Sequence, residues 1–386
     1  MNAFLKRFRL TFTVEGPVFI GSGEKRTAKE YVDGERSVYF PDMGRLYDDL
    51  VERGKDSSFE NFRLNRGIRN DRDSQRSGAQ RLDGWMKQNG LWPPVPKVLG
   101  GYGMRKGDLV EQRARNDRQG RLGSREPQKL NDIHTFIKDA FGQPYIPGSS
   151  IKGLLRTMFL EDRLLRQRSG TPGVITIPAD KRGAEEAARQ IEARYLRGLK
   201  RDEKHPADAV NDNFQAIRIS DSGPLSTANL VICQKVDGSV RGEISGLPLH
   251  RECLKPGTAF TVDVTVDVGV WPQGAAFVQH LSQVAQSIND VRYMPHVNKY
   301  EIDGLKAAKP GPYVYLGGGA GFRSKTFVND QTAMSRVLDN QFRQIHHVEK
   351  TRQLGVSPLA LKLTKVDGVL YEMGKCRLTV EPRPAE

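Results

Sequence analysis

From Phe8 to Val14 apolar and polar residues alternate. Leu10, Phe12 and Val14 fall on one face of an extended chain, Arg9, Thr11 and Thr13 on the other, which predicts a half-buried strand. Val38 to Phe40 reads as a second, short strand. The clearest alternation spans Phe260 to Val268, with Phe260, Val262, Val264, Val266 and Val268 facing a core. Further strands are predicted at Phe214 to Ile219, Leu230 to Lys235, Pro312 to Leu316, Ala360 to Leu363 and Leu370 to Val380. Between them the period changes. Ile151, Leu154, Leu155, Met158 and Phe159 follow helical spacing after a turn at Pro144 to Gly148, with Ser149 or Ser150 as the cap. Ala184 to Leu199 reads as a second helix. The sets Phe277, Leu281, Val284, Ile288 and Met334, Val337, Leu338, Phe342, Ile345 mark two more. Strands and helices mix without strict βα alternation. That predicts an α+β protein of two ferredoxin-like units, 1–200 and 211–386, meeting at the charged run Lys200 to Asp212.

Length agrees with two such units in 386 residues. Charge changes the picture more. Sixty Lys/Arg against 46 Asp/Glu leave a formal charge of +14, which calls for a polyanionic partner. Nucleic acid comes first and an anionic membrane surface second. No apolar run reaches the roughly 20 residues of a membrane span, and no basic amphipathic anchor accompanies the charge, so the membrane reading loses its support. Met1 to Leu10 is basic but no signal-peptide core follows. Three distant cysteines, Cys233, Cys253 and Cys376, suit a reducing cytoplasm and argue against a disulfide framework or zinc knuckle.

The surplus is concentrated. Arg63 to Lys129 holds 16 Lys/Arg against seven acids, and arginine outnumbers lysine by 12 to 4. Arginine grips phosphate with a planar fork and stacks on bases, so the bias fits RNA. The stretch is poor in periodic apolar residues. Only Trp85, Leu91, Trp92 and Val95 to Leu99 offer a small local core, which predicts a basic insertion at about 55–130 in the first unit, ordered by a partner. A solvated loop without a ligand is the plain alternative.

Two motifs carry chemistry. In Ile146 to Arg156, a turn delivers Gly148, Ser149 and Ser150 to a helix start, where free N–H groups and the helix dipole favour an anion. Lys152, Arg156 and Arg163 fall in one wedge of that helix, as a phosphate track would need; a capped helix with a solvated basic face is the alternative. The second motif, LGGGAGFRSKT from Leu316 to Thr326, places Gly317, Gly318, Gly319 and Gly321 before Arg323 and Lys325. It is neither a Walker A loop nor a dinucleotide fingerprint. It reads as a loop lying along a sugar–phosphate backbone, or else as a flexible hairpin. No GxSxG, HExxH or CxxC occurs, and the seven histidines are scattered, so no catalytic set, metal site or cofactor is predicted. An RNase using a single Asp or His stays open, with Asp33 and His134 as first suspects. So does a basic protein docked on an acidic protein surface.

Four segments in order, LTFTVEGPVFIGSGEKRTAKEYV, YIPGSSIKGLLRT, LGGGAGFRSKT and SPLALKLTKVDGVLYEMGKCRL, resemble the RAMP superfamily of CRISPR proteins. In order and spacing they are most similar to the family of fifth Csm subunits of type III-A effectors. The resemblance covers both halves and is weakest over Arg63 to Lys129 and Arg182 to Asp212. It implies two RRM-like units in a non-catalytic, cytoplasmic subunit that binds CRISPR RNA (crRNA) and other Csm backbone subunits. It also implies a place at the filament end near the crRNA 3′ end, and support of 3′-end maturation through recruited cellular nucleases. Gly148, Ser149, Ser150, Lys152 and Arg156, then Gly317 to Gly321, Arg323 and Lys325, are the implied RNA contacts. In related subunits that cleave target RNA an acidic loop residue acts; Glu30 and Asp33 lie near that place. The alternative reading is a RAMP-type endoribonuclease acting on crRNA precursor or target RNA.

Overall fold

The alternation at the start of the chain becomes strand β1 (Leu5–Val14), whose Phe8, Leu10, Phe12 and Val14 are buried. A computed structural model describes residues 4–64, 81–111, 130–167, 178, 180–306, 309–326, 331–342 and 345–384. After β1 come β2 (Gly21–Arg26), β3 (Val32–Asp33) and β4 (Ser37–Phe40), then helices α1 (Met43–Glu52), α2 (Asp56–Leu64), α3 (Leu82–Gln88) and α4 (Pro96–Leu99). Strands β5 (Tyr102–Lys106) and β6 (Ile133–Phe136) precede α5 (Gly148–Gln167) and α6 (Lys181–Leu196). The chain continues through β7 (Ile217–Ile219), β8 (Leu230–Ser239), β9 (Ile244–Leu254) and β10 (Ala259–Asp267). Then follow α7 (Pro272–Gln279), α8 (Leu281–Ile288), a π turn (Asn289–Tyr293), α9 (Met294–Val297) and β11 (Tyr313–Tyr315). It closes with α10 (Gln331–Gln341), α11 (His347–Leu354), β12 (Ala360–Val366), β13 (Val369–Glu372) and β14 (Lys375–Arg383).

The strands form two sheets of a mixed α+β fold. One runs β11-β14-β1-β10-β7, so the first strand lies between two late ones. Phe12 pairs with Phe260 and their rings stack at 5.1 Å. The other sheet runs β2-β6-β9-β8-β5-β4-β3, with β12 on β8 and β13 on β12. The main core includes the inner face of the first sheet, Ile151, Leu155, Met158 and Phe159 of α5, and the buried stripes of α7 and α8. Phe159 meets Phe214, Trp271 and Phe277 edge to face within this core.

Part of the basic stretch packs into the fold. Helices α1 to α4 gather Leu46, Leu50, Phe59, Phe62, Leu82, Trp85, Met86 and Leu99 with Val32 into a core of their own. Of the residues expected to form a small local core, Trp85, Leu99 and the half-buried Leu91 belong to it, while Trp92, Val95 and Val98 are exposed. Periodicity missed the rest because each helix is short and contributes only one to three buried apolar residues. Residues 65–80 and 112–129, which carry ten of the 16 cations, lie outside the described residues.

Strand β9 was not predicted, since Gly246 and Pro248 interrupt its pattern. A register shift between Gln234 and Val236 absorbs the proline. The buried Gln234 side chain stitches that irregularity, donating 3.2 Å bonds to Leu247 O and Val110 O and accepting from Val110 N at 2.6 Å. The predicted strand Leu370 to Val380 is two strands, because Gly374 turns the chain at φ +80°. Its Cα sits so close to Leu316 O that a Cβ would fall 2.5 Å away. Helix α10 ends at Gln341, which leaves Phe342 and Ile345 exposed, and α11 was missed.

Several scattered histidines serve the core. His250 on β9 is fully buried with neither ring nitrogen hydrogen-bonded, and burial pushes its pKa down to about 4. The unfolded imidazole takes a proton below about 6.5, the buried one only below about 4. Stability is therefore intact above pH 6.5 and falls as pH drops from 6.5 to 4, by on the order of 3 kcal/mol for this residue. His250→Leu should flatten that part of the curve, read from urea melts at pH 7, 5.5 and 4.

Candidate nucleic-acid interface

The helix start of α5 is built as a closed joint. Gly148 N donates to Asp221 Oδ1 at 2.7 Å, so the chain's own carboxylate occupies the place where the free N–H groups and dipole favour an anion. A Cβ on Gly148 would meet Ile219 O at 2.4 Å; glycine is needed for this contact with the end of β7. Ser149 and Ser150, predicted as caps, lie within the first helical turn, and Ser150 N donates to Pro147 O at 3.0 Å.

The wedge of cations on α5 is divided by the packing. Lys152 Nζ donates to Ile217 O at 2.8 Å, and burial lowers its pKa from the ordinary lysine range. Arg156 pairs with Asp212, which Arg197 also grips, and reaches Glu192 at 3.6 Å. Arg163 alone of the three is exposed, lying over the Phe159 ring at 4.9 Å. Helical spacing put these residues on one side; it could not show that this side faces Asp212 and the carbonyl of Ile217.

The glycine loop sits on the second sheet. Gly317, Gly319 and Gly321 have φ of +79°, +85° and +90°. Gly318 N donates to Phe19 O at 2.7 Å, and a Cβ on Gly317 would lie 2.2 Å from that oxygen. Gly319 faces the Arg251 guanidinium, where a Cβ would fall 2.9 Å from Nη1, and Gly321 lies against the Lys362 stem. Residues paired in register share a face, so Cys233 with Arg251 and Asp237 with Lys362 put Lys235, Arg251 and Lys362 on one side of β8, β9 and β12. All three are half-buried. Burial first, then Lys362 and Arg251, hold Lys235 below the ordinary lysine range. Lys362 Nζ donates to Asp237 Oδ1 at 2.8 Å, and Arg251 lies over the Phe19 ring at 5.3 Å. The result is three crowded cations with one carboxylate beneath a loop of side-chain-free backbone.

Lys235 and Lys362 were visible as positions in predicted strands, and Arg251 lay in the missed strand; only strand pairing unites them. The same closure corrects another expectation. Arg323 is buried rather than presented to a ligand, because the turn Arg323–Lys325 folds back under the loop. Burial and the neighbouring Arg292 pull its pKa down to about 10. Arg292 in turn pairs with buried Glu161 of α5 and donates to Thr326 O, pinning the loop's end to the core. Lys325 is exposed.

The acidic nuclease suspects are held in ion pairs. Asp33 accepts from Lys106 at 2.7 Å and Arg81 at 3.3 Å. Glu30 accepts from Thr27 N at 2.8 Å and Thr27 Oγ1 at 2.9 Å and pairs with Arg26. His134 is half-buried on β6. Asp202, His205 and Asp208 place ligand atoms within 4.8 Å of one another, but Asp202 already accepts from the backbone of Lys204 and His205 in its own turn. No helix of the described residues is long and apolar enough to cross a membrane.

A family model described as the RAMP superfamily matches residues 11–332. A protein named CRISPR system Cms protein Csm5 from Mycobacterium tuberculosis (strain CDC 1551 / Oshkosh) is 46% identical over 388 residues, covering 98% of this chain and 99% of that protein. The crystal structure of T.onnurineus Csm5 superposes with a TM-score of 0.57 at 18% identity, over 95% of this chain and 99% of the other. A chain of a Csm-crRNA-target RNA ternary complex from a type III-A CRISPR-Cas system gives 0.55 at 19% identity, over 96% and 100%.

Two substitutions test the joints. Asp221→Ala should cost about 1 kcal/mol by uncapping α5. Gly317→Ala should cost more than that, since it adds left-handed strain of roughly 1–2 kcal/mol to a backbone clash. Urea unfolding with an unchanged slope would show both as stability effects.

Proposed function

The chain belongs to the RAMP superfamily, and on that premise we propose that it is a crRNA-binding structural subunit of a type III-A Csm complex. It caps the backbone filament near the crRNA 3′ end, contacts the neighbouring Csm backbone subunits and supports 3′-end maturation by cellular nucleases. The full-length relative at 46% identity carries the Csm5 name, which supports this place in the assembly. The two ferredoxin-like units, 1–200 and 211–386, would be interlocked by β1, which pairs with strands of the second.

The observation that carries the RNA reading is the glycine loop stacked over Lys235, Arg251 and Lys362. Backbone without side chains lets a sugar–phosphate chain come close, and crowded, partly desolvated cations gain most from a phosphate. Gly317, Gly318, Gly319, Gly321 and Lys325 form the track with these three. Ser149 and Ser150 add surface hydroxyls, while Gly148, Lys152, Arg156 and Arg323 hold the supporting elements in place. The ion pairs of Asp33 with Lys106 and Arg81, and of Glu30 with Arg26, support a non-catalytic role, since a carboxylate held by cations and hydrogen-bond donors is a poor general base.

Binding of labelled single-stranded RNA should weaken steeply with salt. Lys235→Ala with Lys362→Ala should lower the slope of log K against log salt by about 1.4, roughly 0.7 per lost phosphate contact. The RNA should stay intact throughout, with or without EDTA. An unchanged slope, or discrete cleavage products, would count against the proposal.

A further inference from the structure

The face of the first sheet turned away from the main core carries a charge pattern that the glycine-loop reading leaves unused. In register across β14, β1, β10 and β7 stand Arg383, Arg7, Thr265 and Arg218. The next row is Glu381, Arg9 and Asp263, and the one after it Thr379, Thr11 and Thr261. Strands lie about 4.8 Å apart, so the first row spreads three guanidiniums over roughly 15 Å. Arg7 and Arg383 stand directly opposite each other, an unfavourable arrangement for like charges. Arg9 and Asp263 pair at 2.9 Å, which neutralises the carboxylate nearest the row. A cleft of about 340 Å³ opens here between Arg7, Arg9, Asp263, Thr265 and Arg383.

We propose that this open sheet face is a second RNA-binding surface, one that grips the phosphates of a single strand crossing β14, β1, β10 and β7. The proposal rests on RNA being the partner, but not on the glycine loop as its site. None of the outward positions in these rows is aromatic, so the face offers no stacking platform for bases. Arginine forks and threonine hydroxyls are the groups that position a phosphate backbone without reading sequence. A protein partner fits less well, because a stable protein interface needs an apolar centre and these rows have none.

The test uses the full chain with labelled single-stranded RNA and, in parallel, a poly-glutamate peptide. Arg218→Glu with Arg383→Glu should weaken RNA binding tenfold or more and lower the salt slope by about 1.4. Arg218→Gln with Arg383→Gln should do the same to a smaller degree, and the Lys variants should restore binding. Thermal melts must show all of them folded. The loss should add to that of Lys235→Ala with Lys362→Ala, as for separate contacts. Normal RNA binding in the Arg variants, with the lysine pair still impaired, overturns this surface and leaves the glycine-loop site standing. No effect from either set overturns both. Loss of peptide binding alone assigns the face to an acidic protein and overturns the proposal.

Discussion

Everything in this molecule depends on where β1 finds its backbone partners. A ten-residue strand with one buried face must satisfy two rows of N–H and C=O groups, and a central strand needs a neighbour on each side. Here both neighbours, β10 and β14, lie more than 240 residues further along the chain. Closing such loops carries an entropic cost that grows slowly with length, so the apolar pairs formed at closure can offset it. Phe12 on Phe260 and on Leu378, and Leu10 on Val262 and Val380, are those pairs.

That closure also builds the candidate site. The chain leaving β1 runs through Val18, which exchanges backbone hydrogen bonds with Leu254 at the end of β9. It continues through Phe19, which accepts from Gly318, and Ile20, which accepts from Ile137. Three consecutive residues thus tie β9, the glycine loop and the segment after β6 together. The loop comes to rest above Arg251 because Phe19 holds it there, and Arg251 lies on the ring of the same Phe19. The positive φ values at Gly317 and Gly319 follow from this close approach.

A net charge of +14 describes the whole chain, but the fold sorts its cations into two kinds. Arg81 and Lys106 converge on Asp33, Arg156 and Arg197 on Asp212, and Arg292 on Glu161, each pair tying separate elements together. Others are crowded by like charges: Lys235 by Arg251 and by Lys362, which also pairs with Asp237, and Arg7 by Arg383 across the strands. Arginine richness points to the chemistry of a partner. It was a poor guide to which cations meet that partner, because a buried guanidinium and a surface one read alike in sequence.

Strand and helix identity was legible wherever the period was long and uninterrupted. Phe260 to Val268 alternates because one face is core and the other solvent, and α5 keeps its stripe because only one side packs. The mixed α+β class and the family resemblance were legible for the same reason, since glycine motifs and strand patterns survive as local residues. Strand β9 was hidden because Pro248 and Gly246 break its pattern, and only the shifted pairing with β8 makes room for them. Pairing across the chain left no local trace at all. Sequence therefore determined the elements and the surplus of positive charge. The tertiary structure alone decided that Asp221 fills the helix start, that Arg323 turns inward and that Lys235, Arg251 and Lys362 meet, because each depends on contacts between residues distant in the chain.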